Sequence, residues 1–254
     1  MILINLKKFI TILLLCILFI ILIYSIIKII DWKKDSDKTK NEIDYLQEVA
    51  EVNDNENNNK NEENSNSENE NINFENLEKI NPDVVAWIKV NETNINYPVV
   101  KGKDNEFYLN HSFKKEFNNA GWVFLDYRND IADLSKNSII YAHNRQDGTM
   151  FGTLKNTLDE EWKNNERNLI IKMNTKNNQL LWKVFSIYTT TNTEDYLQTD
   201  FKKTEDFEKF IQILLNRSKY NYDTNVENQD KILTLSSCYI NSKQRIVLHA
   251  KLLK

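Results

Sequence analysis

Cysteine occurs twice in the 254 residues, proline twice, histidine three times and glycine four times. Cys16 lies inside an apolar run and Cys238 lies near the far end. A disulfide framework needs a matched set of cysteines, so this pair excludes one. Cys/His spacing of the kind that ligates zinc is missing too, and no metal or other cofactor is expected. With so little glycine and proline, turns must be built from other residues. Asparagine is abundant, and it is expected to fill turn positions that tolerate positive φ. The net charge is −4 and the pI about 5.6, so no basic surface is offered to nucleic acid.

What is present is unevenly distributed. Residues 9–27 form a run without charge, roughly 28 Å long at 1.5 Å rise per residue and close to the hydrocarbon thickness of a bilayer. Lys7 and Lys8 precede it, as a cytoplasmic N-terminus requires, although Lys28, Lys33 and Lys34 follow it. The run is long for the core of a signal peptide, and no small-x-small site follows. The reading is a short cytoplasmic N-terminus (1–8), a single lipid-spanning anchor (9–30) and a polar, largely disordered spacer (31–73). The catalytic domain then occupies 74–254, outside the cytoplasm. Within the spacer, 31–51 carries a weak periodicity at Ile43, Leu46 and Val49. Residues 52–73 are almost wholly Asn, Glu, Ser, Asp and Lys and cannot bury enough apolar area to offset chain entropy.

From Phe74 onward short apolar segments recur between polar ones. Strands are expected at 84–90, 95–100, 121–127, 138–143, 169–173, 181–189, 231–237 and 245–252, a mainly β domain closed as a barrel or packed as a sandwich. Phe207, Phe210, Ile211, Leu214 and Leu215 recur at helical spacing. With Thr204 as a cap and Glu205 and Asp206 in the first turn, they predict an amphipathic helix. A shorter helix is expected around 74–80.

Cys238 ends the run ILTLSSC, where a strand emerges. A lone thiol outside the membrane is exposed to oxidation, so its retention needs a reason. If 231–237 and 245–252 pair as a hairpin, Cys238 and Arg245 stand opposite each other, and a guanidinium there stabilises a thiolate or an oxyanion. Among the histidines, His143 ends the segment NSIIYAH and enters a polar loop, a common catalytic placement. His249 shares a strand face with Arg245 but reads as a packed strand residue, and His111 as a loop residue.

The segment TLSSC at 234–238, followed by Arg245 opening the last strand, resembles the sortase signature. NPDVVAWIKV, INYPVVKGKDNEFYLNHSF, AGWVFLDYRN, NSIIYAHNRQDGTMFGTLK and RIVLHAKLL resemble class B sortases along 81–254, and the helix at about 204–217 matches the one that class inserts before its cysteine strand. Ser237 departs from the usual threonine, and the Cys238–Arg245 connection is short. The resemblance implies a closed eight-stranded barrel and a cysteine transpeptidase that cleaves a C-terminal sorting motif of exported proteins. His143 would be the general acid/base, Cys238 the nucleophile and Arg245 the clamp on oxyanion or substrate. It also implies that Asn105, Leu109, Tyr196, Leu197 and Ser236 line the peptide groove, and that a cell-wall peptide amine accepts the acyl group. A thiol peptidase using water, and a membrane-anchored binding module with an incidental cysteine, are the competing readings.

Overall fold

The computed structural model describes residues 2–51, 72–191, 195–239 and 244–253. Two compact units divide the chain, Met1–Lys38 and Thr39–Lys254. The first helix, α1 (Ile2–Glu51), carries the apolar run. From Lys8 it is long and apolar enough to cross a membrane, and the side chains from Phe9 to Ile30, Cys16 among them, are exposed. An exposed apolar surface of that length suits lipid, not water.

The second unit begins at Thr39, ahead of the expected boundary at Phe74. Ile43, Leu46 and Ala50 recur on one face of α1 and are buried in the main core. Polar ties accompany them: Asn118 Nδ2 donates to Thr39 Oγ1 at 2.9 Å, and the Lys114 amide donates to Glu42 Oε1 at 2.9 Å. In the sequence this stretch looks like spacer because its apolar stripe is short and one member is an alanine. The expected disordered stretch falls at 52–73, of which 52–71 lies outside the described residues. Its two ends meet, since the Asn73 amide donates to the Ala50 carbonyl at 3.0 Å.

Among the described residues, eight strands close a barrel in the order β1-β2-β3-β4-β7-β8-β6-β5. They are β1 (Val84–Val90), β2 (Asn96–Val100), β3 (Phe124–Leu125), β4 (Asn137–Ala142), β5 (Ile170–Thr175), β6 (Gln179–Thr190), β7 (Ile232–Tyr239) and β8 (Gln244–Leu252). All eight expected segments form strands. The one expected at 121–127 shrinks to two residues. Gly121 sits at φ +61°, where a Cβ would come within 2.6 Å of the Tyr108 carbonyl, and the Trp122 amide donates to that same carbonyl. Strands β2 and β3 pair in parallel, as do β4 and β7; the other pairs are antiparallel.

Three further helices are α2 (Phe74–Ile80), α3 (Glu160–Asn164) and α4 (Thr204–Arg217). Helix α4 occupies the expected span. Its N-cap position is Lys203, without a side-chain cap, so Thr204 is its first helical residue. Alternation along β7 and β8 sorts their side chains between two cores. Leu233, Leu235, Ile246 and Leu248 join the main core, while Ile232 and Val247 meet α4 through Phe207, Phe210, Ile211 and Leu214.

Asparagine builds turns by a route other than the expected one. The non-glycine residues with positive φ among those described are Glu92, Lys115, Leu134 and Met150. Asparagine works through its side-chain oxygen instead. Asn81, Asn118 and Asn165 each accept from the backbone amide two residues on, and Asn73 caps α2 by accepting from the Asn76 amide. Such side-chain turns close a bend without the left-handed backbone.

Candidate active site

The parallel pairing of β4 with β7 aligns Ala142 with Ser237 and Tyr141 with Ser236. One residue further along, His143 and Cys238 follow at the same end of neighbouring strands. The antiparallel pairing of β7 with β8 sets Cys238 opposite Arg245, the register the hairpin argument anticipates. Three strands thus bring the chosen histidine, cysteine and arginine positions to one end of the barrel.

A groove of about 370 Å³ opens there, lined by Asn105, Leu109, Phe124, Tyr141, Ala142, His143, Tyr196, Leu197, Ser236 and Arg245. It contains all five residues singled out for the peptide groove, and both His143 and Arg245. These come from six separate stretches of chain, so only folding gathers them.

The loop after His143 is tied within itself. Arg145 and Asp147 form an ion pair at 2.8 Å, and both are nearly buried. Asp147 Oδ1 accepts from Thr149 Oγ1 at 2.6 Å and from the Thr149 amide at 3.0 Å. Burial pushes the Asp147 carboxyl up, but its hydrogen bonds from Arg145 and Thr149 outweigh this and hold it below the usual carboxylate range. The loop closes where the Phe151 amide donates to the His143 carbonyl at 3.0 Å. Gly152 is needed beside it, since a Cβ there would lie 2.2 Å from the Arg145 carbonyl. Two of the four glycines, Gly148 at φ +78° and Gly152, serve this loop.

The His143 ring is held as well. Its Nε2 lies 2.8 Å from the Leu109 carbonyl. A carbonyl only accepts, so Nε2 carries the hydrogen, and Nδ1 is the nitrogen that gains and loses a proton.

The other histidines are occupied differently. His111 stacks on Phe107 with centroids 3.9 Å apart, and its Nδ1 meets the Phe107 carbonyl at 2.8 Å. His249 is fully buried, with Nδ1 2.9 Å from Thr234 Oγ1 and Nε2 3.0 Å from Tyr188 OH. Asn137 donates from Nδ2 to the carbonyls of Tyr196 and Gln198, at 3.1 and 2.9 Å, which turns its Oδ1 toward Thr234. Thr234 therefore donates to Asn137 and accepts from His249 Nδ1–H, and Tyr188 donates to Nε2. Burial, with the nearby Arg217 cation, pushes the His249 pKa down to about 3. It stays neutral and takes no part in the groove; it supports the groove loop instead. That loop is also held by Tyr196 OH, 2.8 Å from Ser236 Oγ, and by the Arg217–Asp195 ion pair.

Sequence reasoning missed Phe124, Tyr141 and Ala142 in the lining. It also missed Asp126, whose side chain is fully buried behind the groove. The visible signal was a charge directly after the apolar run in AGWVFLDYRN. Among the described residues no group of three or more His, Cys, Asp or Glu side chains is arranged to hold a metal ion.

A sortase-domain family model matches residues 88–253. The chain belongs to the sortase family. This sortase is 41% identical to sortase B of Staphylococcus aureus over 184 residues, 71% of this chain and 75% of that one. It is 37% identical to sortase B of Listeria monocytogenes over 180 residues, 70% and 72% of the two chains. Sortase B of Bacillus anthracis, solved in complex with AAEK1, superposes with a TM-score of 0.73 at 36% identity, covering 87% of this chain and 99% of that one. The barrel and the class B resemblance agree with these relatives, and the protein is a sortase-type cysteine transpeptidase. Its N-terminal helix is a candidate membrane anchor.

Proposed function

We propose that Cys238 is the nucleophile, His143 the general acid/base and Arg245 the clamp on the substrate carbonyl or oxyanion. The observation that carries this reading is the groove itself. His143 and Arg245 share it with Asn105, Leu109, Tyr196, Leu197 and Ser236, and Arg245 is the register partner of Cys238. The substrate is an extended peptide near the C-terminus of an exported protein, laid along those residues. One sortase B of Staphylococcus aureus has been solved as a substrate complex, and another sortase B in complex with triglycine. These support a peptide donor and an amine acceptor.

The Cys238 thiolate attacks the carbonyl of a threonine in the sorting motif, forming the S–C bond while the carbonyl electron pair moves onto oxygen. Arg245 offers a planar fork of donors to that oxyanion. The tetrahedral adduct collapses as the C–N bond breaks. The departing amine takes its proton from His143 Nδ1, leaving a thioester on Cys238 and a neutral imidazole. An acceptor amine, that of a cell-wall peptide, attacks the thioester and loses a proton to Nδ1, and the Cys238 thiolate is released. Residues 9–30 anchor the chain in the bilayer as a single pass, with residues 1–8 cytoplasmic and the barrel outside, where exported substrates emerge.

The test incubates the full-length chain in detergent micelles with a pentapeptide library carrying threonine at the fourth position, with and without triglycine. The expected result is a Cys238-bound thioester and, with triglycine, an amide-linked peptide–triglycine product. Cys238→Ala is expected to abolish both. Release of free acid alone, whatever the amine concentration, would make the enzyme a thiol peptidase. Wild-type turnover in Cys238→Ala would remove the nucleophile.

A further inference from the structure

The groove walls come from distant stretches: Asn105 ahead of a short 3₁₀ turn, Tyr141 on β4, and Leu197 between β6 and α4. Behind the groove all three converge on one ion pair. Asp126, which follows β3, is fully buried. Its Oδ2 accepts from Asn105 Nδ2 at 3.0 Å, from Tyr141 OH at 2.9 Å and from Arg128 Nη2 at 2.7 Å. Its Oδ1 accepts from Arg128 Nε at 2.8 Å and from the Arg128 amide at 3.0 Å. Arg128 Nη2 reaches on to the Leu197 carbonyl at 3.0 Å.

We propose that Asp126, held by Arg128, is the positioning residue of the peptide groove: it joins three of its walls and sets which hydrogen-bonding atoms they offer. This rests on the groove being the peptide site. A carboxylate only accepts, so Tyr141 must turn its single O–H inward and is left with its oxygen lone pairs. Asn105 is fixed in the same way. Its Oδ1 accepts from the Tyr127 amide at 3.0 Å and one amide hydrogen goes to Asp126, which leaves the second hydrogen. The walls then offer one N–H donor and one phenolic acceptor, the pair that matches the C=O and N–H of an extended peptide backbone. The bond from Arg128 to the Leu197 carbonyl ties the far wall to the same carboxylate.

An amide at position 126 has one acceptor oxygen and turns an NH₂ toward Arg128, Tyr141 and Asn105, which are all donors. Some of those groups must rotate, and the pattern presented to substrate changes while the reacting groups keep their places. The signature is therefore a change in substrate binding, not in the chemical step.

The experiment uses the full-length chain in detergent micelles. Its probe is a fluorophore-labelled pentapeptide with threonine at the fourth position, chosen as the one wild type cleaves fastest. Asp126→Asn is expected to raise KM about tenfold and leave kcat within about twofold. The same loss of affinity is expected in fluorescence anisotropy on a Cys238→Ala background. Labelling of Cys238 by a small methanethiosulfonate reagent, read by mass, is expected to proceed at the wild-type rate, which a general loosening of the site would alter. Combining Asp126→Asn with Asn105→Ala is expected to cost no more than the larger single effect, because both act through one amide. A folded Asp126→Asn with wild-type KM, or effects that simply add, overturns the proposal. Where Asp126→Asn does not fold, Arg128→Met decides: a severalfold rise in KM is expected, and an unchanged KM overturns the proposal. Failure of the transpeptidase reading looks different, since wild type would then form no Cys238 thioester, while the anisotropy arm still reads the groove.

Discussion

Leu46 tests whether the end of α1 belongs to the catalytic unit or to a tether. Its side chain is fully buried, and Ile43 and Ala50 lie beside it in the main core. Truncating a buried leucine to alanine removes its transfer free energy and leaves a cavity, together about 2–5 kcal/mol. For a unit of this size each kcal/mol moves the melting temperature by roughly 2–4 °C. Leu46→Ala is thus expected to lower Tm by about 5–15 °C in a soluble chain beginning at residue 39, followed by circular dichroism. Asp44 is exposed two residues away on the same helix, and Asp44→Ala is expected to change stability by no more than about 0.5 kcal/mol. A chain beginning at Phe74 loses Ile43, Leu46 and Ala50 together, along with the Thr39–Asn118 and Glu42–Lys114 hydrogen bonds, and is expected to melt lower than Leu46→Ala. Equal melting temperatures for Leu46→Ala and Asp44→Ala would refute the reasoning.

Arg245→Lys keeps the charge but loses the planar fork, so kcat/KM is expected to fall on the order of a hundredfold, and further for Arg245→Ala, with Tm nearly unchanged; near-normal peptide cleavage by folded Arg245→Ala would take the arginine out of the site. His249 makes stability fall in mild acid. Its folded pKa, about 3, lies below the ordinary 6.5, so the unfolded chain binds the extra proton first. The stability it contributes is present above pH 6.5 and is lost as pH falls toward 3, amounting to about 2 kcal/mol between pH 6.5 and 4.5. Urea titrations across that range are expected to show a shallower loss in His249→Gln than in wild type; parallel slopes would contradict the assignment. Protease added to intact protoplasts is expected to release the barrel unit, and full protection would reverse the proposed orientation.

The sequence by itself determined most of the local structure. Period-two apolar runs located all eight strands, and helical spacing in Phe207–Phe210–Ile211–Leu214 set α4. These signals are local because each strand or helix must bury one face whatever it packs against. The uncharged run at 9–27 was equally legible, since length and apolarity are properties of a single segment. The five groove residues came from the resemblance, as their spacing alone carries no sign that they converge. Tertiary structure decided the rest. Ile43, Leu46 and Ala50 are too few to announce a buried face until the core receives them. The Asn105 and Tyr141 hydrogen bonds to Asp126 span 21 and 15 residues, and Thr234 reaches Asn137 across 97. A polar side chain in a sequence reads as solvent-facing until the fold brings it a partner. Asp126 and His249 became structural because the barrel buried them beside groups able to satisfy every hydrogen bond that burial had taken from water.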